Sequence, residues 1–436
     1  MIISPTKTGS ETGKELIAQL LNRFQETDTG CTSVVAEILA AVREKGDAAL
    51  LEYTRRFDAP DFQINQLQVT QEEFDRAQDQ VDAAFKETLS LAIERVQFFH
   101  EQELEKSWTL TRDDGVITGR LVRPVSAAGL YVPGGRGGST PLVSSVLMNG
   151  IPAGIAGVEK RIMVTPPNDR GEVHPALLAA ASAIGIDQVF KVGSGWAIAA
   201  LAFGTRSIPR VDVIVGPGNQ YVAEAKKQVS GIVGIDMIAG PSEVLIVADG
   251  SARPSYIAAD MLAQAEHDPQ ALAMVVTTSP EIAEQVAGEL ERQLETLSRQ
   301  DIAMTALRKR GVILIADTLD EAIGLANKIA AEHLELMVEK PDTWLPAIQH
   351  AGAIFLGDYS PEAAGDYLAG PNHVLPTMGT ARFSSALGVE TFLKKSSIIS
   401  YSRAALLEDG PHIMALANLE GLSAHARSVE VRMKEE

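Results

Sequence analysis

The chain has 436 residues, of which 45% are hydrophobic and 22% are charged. These proportions are typical of a folded protein and exclude an intrinsically disordered chain. Lys and Arg number 38 against 57 for Asp and Glu, so the formal net charge is −19. Because an acidic surface repels phosphate backbones and anionic lipid, this charge argues against nucleic acid and membrane surfaces as partners. The length predicts two or three domains.

The cysteine content and the N-terminal residues indicate the cellular compartment of the protein. Cys31 is the only cysteine, and a single thiol, which cannot form an internal disulfide, is typical of a reducing cytoplasm. The first ten residues contain no basic segment followed by an apolar one, so no secretory signal is expected. Apolar runs are interrupted by Asn, Gly or Pro well before they reach the length of a membrane span. The sequence therefore predicts a cytoplasmic globular protein.

The first third of the chain is predicted to be helical. Apolar residues recur at helical spacing from Thr32 to Phe57, and a second helix is expected from Gln71 to Leu104. We assign residues 1–31 to an N-terminal extension. Residues 32–128 are expected to form a helical segment that packs on the second of two α/β blocks.

The middle of the chain alternates short β-branched runs with Gly/Pro turns and Ala-rich helices. This alternation predicts parallel sheets covered by helices on both faces. The two blocks, 129–235 and 236–381, are interpreted as two Rossmann-like domains. The expected strands are Leu130–Val132, Arg161–Thr165, Gln188–Val192, Val211–Val215, Glu243–Ala248, Ala273–Thr277 and Gly311–Ala316.

The end of the chain, residues 382–436, is expected to form a dimerisation segment. It contains a strand-like run, Ser397–Tyr401, and a final helix near His412–Lys434. The predicted fold class is therefore α/β, with two Rossmann-like parallel-sheet domains. Small N- and C-terminal extensions are expected to pack on a partner subunit.

Three glycine-rich turns follow or flank these strands, at Tyr131–Gly135, Val215–Asn219 and Ala239–Glu243. Ligands of open parallel sheets bind beyond the carboxyl ends of the strands, where glycines let backbone N–H groups approach a phosphate. None of the three turns is the Gly-x-Gly-x-x-Gly dinucleotide motif. Each of them alone is better explained as an ordinary turn than as a cofactor site.

Several histidines lie beside carboxylates or amides. Gln264 and His267 are three residues apart on a predicted helix, and Glu332 and His333 are adjacent at the end of another. A mixed shell of imidazole and carboxylate suits Zn²⁺ in a site left open for substrate. From spacing alone, the chain is a cytoplasmic α/β enzyme with a possible His/Asp metal site. The two remaining groups of this kind are Asp366 with His373, and Glu420 with His425.

Taken together and in order, these segments resemble histidinol dehydrogenase. The resemblance covers nearly the whole chain from about Thr32 onward, and the ordered set carries it rather than any one motif. The matching segments are Gly129–Gly135, Val215–Val222, Ile235–Val244, Gln264–His267, Glu332–Glu335, Gly370–Thr377 and Glu420–Ala426.

The resemblance implies oxidation of L-histidinol to L-histidine through an aldehyde-level intermediate. Two NAD⁺ are reduced and one water is consumed, in the last step of histidine biosynthesis. It also implies one Zn²⁺ per subunit, bound by Gln264, His267, Asp366 and His425. In the family the last of these ligands comes from the other subunit of a domain-swapped homodimer.

The resemblance further assigns roles to individual residues. His333 is expected to be the general base that takes the hydroxyl proton, and Glu332 to activate the water that attacks the aldehyde. Tyr131 and Asn219 are expected to contact NAD. The residues expected to bind the substrate are Ser242, Gln264, His267, His333, Asp366, His373, Glu420 and His425.

Two departures from the family pattern lie on the cofactor side. Trp196 stands where the family commonly has a Gln that contacts the nicotinamide cofactor, so the role of Trp196 in cofactor binding is doubtful. Residues Arg136–Thr140 lengthen the loop after Gly135. Both changes leave the NAD geometry, and the choice between NAD and NADP, open.

Three other interpretations compete with this one. A paralogous NAD- and zinc-dependent enzyme, such as a sulfopropanediol dehydrogenase, needs a cationic clamp for the sulfonate. The present chain instead offers His373 and Glu420, which suit an amino alcohol. A non-catalytic dimer of the same fold is expected to have lost Glu332 or His333. A zinc hydrolase would leave the glycine-rich turns without a function.

Overall fold

A computed structural model describes residues 2–23, 29–134 and 140–434. None of the helices within these ranges is both long enough and apolar enough to cross a membrane. The strands are β1 Thr6–Lys7, β2 Trp108–Thr111, β3 Ile117–Pro124, β4 Ala127–Tyr131, β5 Lys160–Thr165, β6 Gln188–Lys191, β7 Val213–Val215, β8 Gly234–Ile235, β9 Glu243–Ala248, β10 Leu272–Thr277, β11 Val312–Ile315, β12 His333–Met337, β13 Ala353–Leu356 and β14 Leu393–Ser400. The α-helices are α1 Glu11–Asn22, α2 Thr29–Lys45, α3 Asp47–Phe57, α4 Gln71–Gln80, α5 Ala83–His100, α6 Val143–Ala156, α7 Pro175–Ala183, α8 Ser194–Phe203, α9 Gln220–Val229, α10 Pro254–Ala265, α11 Pro280–Leu294, α12 Gln300–Arg310, α13 Leu319–Ile329, α14 Glu362–Tyr367, α15 Arg403–Leu419 and α16 Ser423–Lys434.

The two predicted parallel sheets are confirmed. The first sheet has the strand order β6-β5-β4-β7-β8, and the second has the order β1-β11-β10-β9-β12-β13. Every adjacent pair in both sheets is parallel. The inner strands β7, β10 and β11 are almost entirely apolar because helices cover both faces of the sheets, and β9 and β10 are buried along their whole length.

The helical segment packs on the first sheet, so the expectation that it packs on the second block is wrong for these helices. Helices α2 and α3 lie against α8, α2 also lies against α9, and α4 lies against α7. Each of the two long predicted helices is divided. Gly46, with φ of +56°, separates α2 from α3, and Asp82 caps a new helix after the extended Val81.

The N-terminal extension contributes to the second sheet of its own chain, and its packing on a partner subunit stays a prediction. Strand β1 pairs in parallel with β11 at the edge of that sheet. Ser10 caps the start of helix α1, since its hydroxyl accepts a hydrogen bond from the N–H of Gly13, and α1 lies against α13.

The chain divides into two compact units. The larger consists of residues 1–103 and 126–392, and the smaller consists of residues 104–125 and 393–436. The smaller unit is a three-stranded antiparallel sheet in the order β14-β3-β2, with helices α15 and α16 packed on each other. The expected strand Ser397–Tyr401 thus overlaps the end of the longer β14, which stops at Ser400, and the expected final helix is two helices.

Candidate active site

The adjacent pair Glu332 and His333 opens a buried strand instead of closing a helix. Helix α13 ends at Ile329, and Ala330 takes a left-handed conformation with φ of +51°, which turns the chain into β12. Glu332 and His333 are 6% and 4% exposed. The predicted helical position was wrong because the run His-Leu-Glu-Leu-Met alternates polar and apolar residues over only five positions.

Both members of this pair are held by the backbone of one residue, Glu243, at the start of the neighbouring strand β9. The N–H of Glu243 donates to Oε2 of Glu332 at 2.8 Å, and Nδ1 of His333 lies 3.0 Å from the carbonyl oxygen of Glu243. A carbonyl can only accept, so Nδ1 carries the hydrogen when His333 is neutral. The Nε2 atom is then the basic nitrogen of His333.

Burial shifts the acid–base behaviour of the two side chains in opposite directions. Burial lowers the pKa of His333 to about 4, so the imidazole is neutral at pH 7. Burial, together with the negative charges of Glu243 and Asp366, raises the pKa of Glu332 well above its ordinary value. At pH 7 the imidazole of His333 is therefore unprotonated, and the carboxyl of Glu332 keeps its proton to a higher pH than an exposed glutamate does.

A group of possible metal ligands lies in the same unit. One ligand atom each of His267, Glu362 and Asp366 lies within 4.8 Å of the others. His267 follows the last turn of α10, which places it beyond the helix on which we predicted it. Asp366 lies on the short helix α14 and not in a loop. The structure thus brings His267 and Asp366 together, as the predicted ligand set requires.

Gln264 joins this group through Glu362, a residue that sequence reasoning missed. Gln264 is fully buried, and its hydrogen-bonding groups are satisfied when its amide nitrogen faces Glu362, 3.1 Å from both carboxylate oxygens. This orientation leaves the amide oxygen of Gln264 as a possible ligand. Burial raises the pKa of Glu362 well above its ordinary value, and neighbouring negative charges raise it further. These charges belong to Asp366, Glu332, Glu335 and Asp260. Several buried carboxylates with few buried cations make this region suited to a bound metal cation.

Asp366 and His373 form a second predicted pair. Nδ1 of His373 lies 3.7 Å from Oδ1 of Asp366, a separation that allows charge attraction but is long for a hydrogen bond. Burial raises the pKa of Asp366, but the attraction of His373, His333 and His267 outweighs it, so that this pKa lies below its usual value. Nε2 of His373 is buried and has no hydrogen-bond partner among the described residues. This nitrogen is available to a ligand.

The other predicted site residues have separate positions. Ser242 directly precedes β9 and is half-buried. Glu420 is the C-cap of α15, and His425 lies in the first turns of α16, so they are not on one final helix as predicted. Both are exposed side chains of the smaller unit.

The two predicted cofactor turns approach each other at the carboxyl ends of β4 and β7. Gly216 has φ of +113°, and a Cβ atom there would collide with the carbonyl oxygen of Tyr131, so only glycine fits. The side chain of Tyr131 is buried to the same extent as that of Trp196, at 4% exposed, and its hydroxyl accepts a hydrogen bond from the N–H of Ser194 at 3.1 Å. Asn219 is exposed and caps α9 by accepting from two backbone N–H groups. The predicted loop insertion at Arg136–Thr140 falls almost wholly outside the described residues.

Trp196 occupies the protein core rather than a cofactor surface. The side chain is 4% exposed, and its ring lies 5.6 Å from the rings of both Tyr53 and Phe57 on α3. Its indole Nε1 is buried without a hydrogen-bond partner among the described residues. The doubtful assignment of Trp196 to the cofactor is therefore not supported by its position.

The two sets of candidate residues lie at opposite ends of their strands. Tyr131 is the last residue of β4 and Asn219 follows β7, so both lie at carboxyl ends of first-sheet strands, as the general rule for parallel sheets predicts. Glu243 and His333 stand at the amino ends of β9 and β12 in the second sheet. The rule predicts only the first set.

Comparisons with known proteins identify the family. The sequence profile described as histidinol dehydrogenase matches residues 21–433. The histidinol dehydrogenase of Desulfotalea psychrophila is 66% identical over 434 residues, covering 100% of both chains. That of Nitratidesulfovibrio vulgaris is 53% identical over 423 residues and covers 97% of both. The crystal structure of histidinol dehydrogenase from Elizabethkingia anophelis matches with a TM-score of 0.92 at 36% identity, over 99% of this chain and 98% of that one. The chain therefore belongs to the histidinol dehydrogenase family of oxidoreductases.

Proposed function

We propose that this enzyme oxidises L-histidinol to L-histidine in the cytoplasm, with two NAD⁺ and an aldehyde-level intermediate. The observation that carries the proposal is the placement of Glu332 and His333, both buried and both held by Glu243, in the same unit as His267 and Asp366. An oxidation of this kind needs a base for the alcohol proton and a means of orienting the substrate.

The predicted metal ligands fit Zn²⁺. The donor set of an imidazole from His267, a carboxylate from Asp366 and an amide oxygen from Gln264 is of the kind that zinc accepts, with one further ligand from His425. Glu362 would hold the Gln264 amide in place through its nitrogen, as residues outside the ligand set commonly do. Zinc would hold the imidazole and amino nitrogens of the substrate and so fix its carbinol carbon.

His333 would act first. Its Nε2 takes the hydroxyl proton as hydride leaves the carbinol carbon, while its Nδ1–H remains on the carbonyl of Glu243. Burial lowers the pKa of His333 to about 4, so the imidazole is unprotonated at neutral pH, although it is a weaker base than an exposed histidine. The orientation and the protonation state are thus both set by the surrounding strand.

Glu332 would act in the second oxidation. Its Oε2 accepts the N–H of Glu243, which leaves Oε1 for the water that adds to the aldehyde. The raised pKa of Glu332 makes this carboxylate a stronger base than an exposed glutamate, so that it can take a proton from water. Ser242, His373 and Glu420 would complete substrate binding, and the unpartnered Nε2 of His373 is the group that most needs a ligand.

The cofactor would bind where the two glycine-rich turns meet, beside the exposed Asn219 and the turn that follows the buried Tyr131. NAD⁺ would supply the hydride acceptor for both steps. Trp196 is expected to act there only indirectly, because its ring packs α8 against α3.

A domain-swapped homodimer would complete the site, with His425 supplied by the partner. The smaller unit has exposed apolar side chains beside the proposed ligand, including Leu416 at 63%, Leu419 at 85% and Leu422 at 42%. Exposed leucines so close together are typical of a surface that binds another subunit.

The reaction is tested by measuring NADH formed per L-histidinol consumed, before and after chelation of zinc. Two NADH per histidinol, lost on chelation and restored by Zn²⁺, is the expected result. Absence of NADH from the zinc-loaded protein would contradict the proposal, and sulfopropanediol and other alcohols would then test the paralogous activity.

The ligand assignment is tested separately with His425→Ala, measured by metal analysis of the purified protein. We expect zinc occupancy to fall, because one ligand of the set is removed. His412→Ala, an exposed histidine of α15, is the matched control and is expected to keep full zinc content. Unchanged zinc in the His425 variant would remove His425 from the ligand set.

A further inference from the structure

A buried ion pair lies behind the proposed acid–base residues and was not predicted from the sequence. Arg23, at the end of α1, is 5% exposed, and Glu243 is 1% exposed. Nε and Nη2 of Arg23 donate to the two carboxylate oxygens of Glu243 at 2.5 and 2.7 Å. This two-point arrangement matches the planar guanidinium to the carboxylate and fixes the direction of both.

The remaining donors of Arg23 reach two helix ends. Nη1 donates to the carbonyl of Leu20 at 2.8 Å, and Nη2 also donates to the carbonyl of Ile329 at 2.9 Å. Ile329 is the last residue of α13 and lies four positions before His333. One guanidinium therefore connects the start of β9, through Glu243, with the chain that leads into β12.

These are the two strand starts that hold the candidate acid–base pair. The backbone N–H and C=O of Glu243 bind Glu332 and His333, and Arg23 binds both the side chain of Glu243 and the residue that ends α13. We propose that Arg23 is a positioning residue for catalysis: through Glu243 and Ile329 it fixes the spacing of β9 and β12, and thereby the orientation of Glu332 and His333.

This inference rests on the proposed function. The chemistry of the Arg23 guanidinium explains why lysine would be a poor substitute. An ammonium is a single point charge that cannot bind both carboxylate oxygens and two carbonyls in fixed directions. A salt bridge that only stabilised the fold would tolerate replacement of both charges by apolar side chains. A positioning role would not, because the strand spacing also depends on the hydrogen bond to Ile329.

The test compares Arg23→Lys, Arg23→Met and the double variant Arg23→Met/Glu243→Met with the wild type, as zinc-loaded full-length enzyme. NADH formed from L-histidinol gives kcat and KM, zinc is measured by metal analysis, and folding by circular dichroism and urea unfolding. We expect kcat to fall at least tenfold in all three variants, while KM stays within about threefold of the wild-type value. Zinc content should be unchanged. The double variant should be at least as stable as Arg23→Met.

Lys191→Met is the matched control. Lys191 is 4% exposed and forms an ion pair with Glu73 in the same unit, on the far edge of the first sheet. We expect this variant to keep the wild-type kcat. Recovery of kcat in the Arg23→Met/Glu243→Met variant, or a wild-type kcat in Arg23→Met, would overturn the positioning role. An inactive wild type would instead refute the proposed function, so the two failures are distinguishable.

Discussion

Asp58 offers a quantitative test of the electrostatics beside the cofactor turns. It ends α3, its Oδ2 is buried without a hydrogen-bond partner among the described residues, and its charge helps to raise the pKa of Tyr131. Burial raises the pKa of Asp58 from 3.8 to about 7. The folded protein therefore binds a proton here that the unfolded chain releases near pH 4.

The size of the effect follows from the shift. A difference of about three pKa units, at about 1.4 kcal/mol for each unit, corresponds to about 4 kcal/mol. Because the pKa is raised in the folded state, this contribution to stability is present below pH 4 and is lost as the pH rises to about 7. Asp58→Asn has no proton to lose, so its stability relative to the wild type should increase across that range.

The assay is urea unfolding of the wild type and Asp58→Asn at pH 5 and pH 8. Between pH 5 and pH 8 the wild type loses about 3 kcal/mol of stability because its unfolded chain ionises at Asp58 more readily than the folded protein does. The gain in unfolding free energy from the substitution should therefore be larger at pH 8 than at pH 5 by that amount. Asp61→Asn, an exposed carboxylate in the same loop, should show the wild-type pH dependence. Parallel curves for Asp58→Asn and the wild type would refute the reasoning.

Two further predictions concern the site and the core. In Glu332→Gln the second oxidation should slow by about 10²- to 10⁴-fold, and the first oxidation should slow much less. The aldehyde-level product should then accumulate, and rapid-quench analysis would detect it. Equal losses in both steps would contradict the water-activating role. Trp196→Ala should cost about 3–5 kcal/mol of unfolding free energy because a stacked core ring is removed, whereas Trp108→Ala, 48% exposed, should cost much less. A Trp196→Ala protein of normal stability with a raised KM for NAD⁺ would return Trp196 to the cofactor site.

Seven of the eleven strands in the two parallel sheets could be predicted because they are short, β-branched, mainly apolar runs, whereas β1, β8, β12 and β13 were not predicted. For β9, Glu243–Ala248, the predicted and observed limits are the same. Strand β12 could not be found in this way, because its glutamate and histidine interrupt the apolar run. Its identity depends on pairing with β9 and β13, which is set by tertiary contacts.

The candidate site was predicted only in part, for a similar reason. The resemblance supplied Gln264, His267 and Asp366, and the structure places them together. Glu362 and Arg23 were missed because their importance lies in contacts with residues 98 and 220 positions away. No local spacing encodes such contacts, and a buried arginine at the end of a helix has no distinctive sequence pattern.

The divided smaller unit has a consequence for synthesis of the chain on the ribosome. Strand β3 ends at Pro124 and its partner β14 begins at Leu393, so roughly 270 residues must be translated before the two can pair. At about 5–20 residues per second this takes roughly 15 to 55 seconds. During that time one edge of the β2–β3 hairpin is exposed, and Arg120 and Arg123 place charges on β3 that oppose its pairing with other nascent chains.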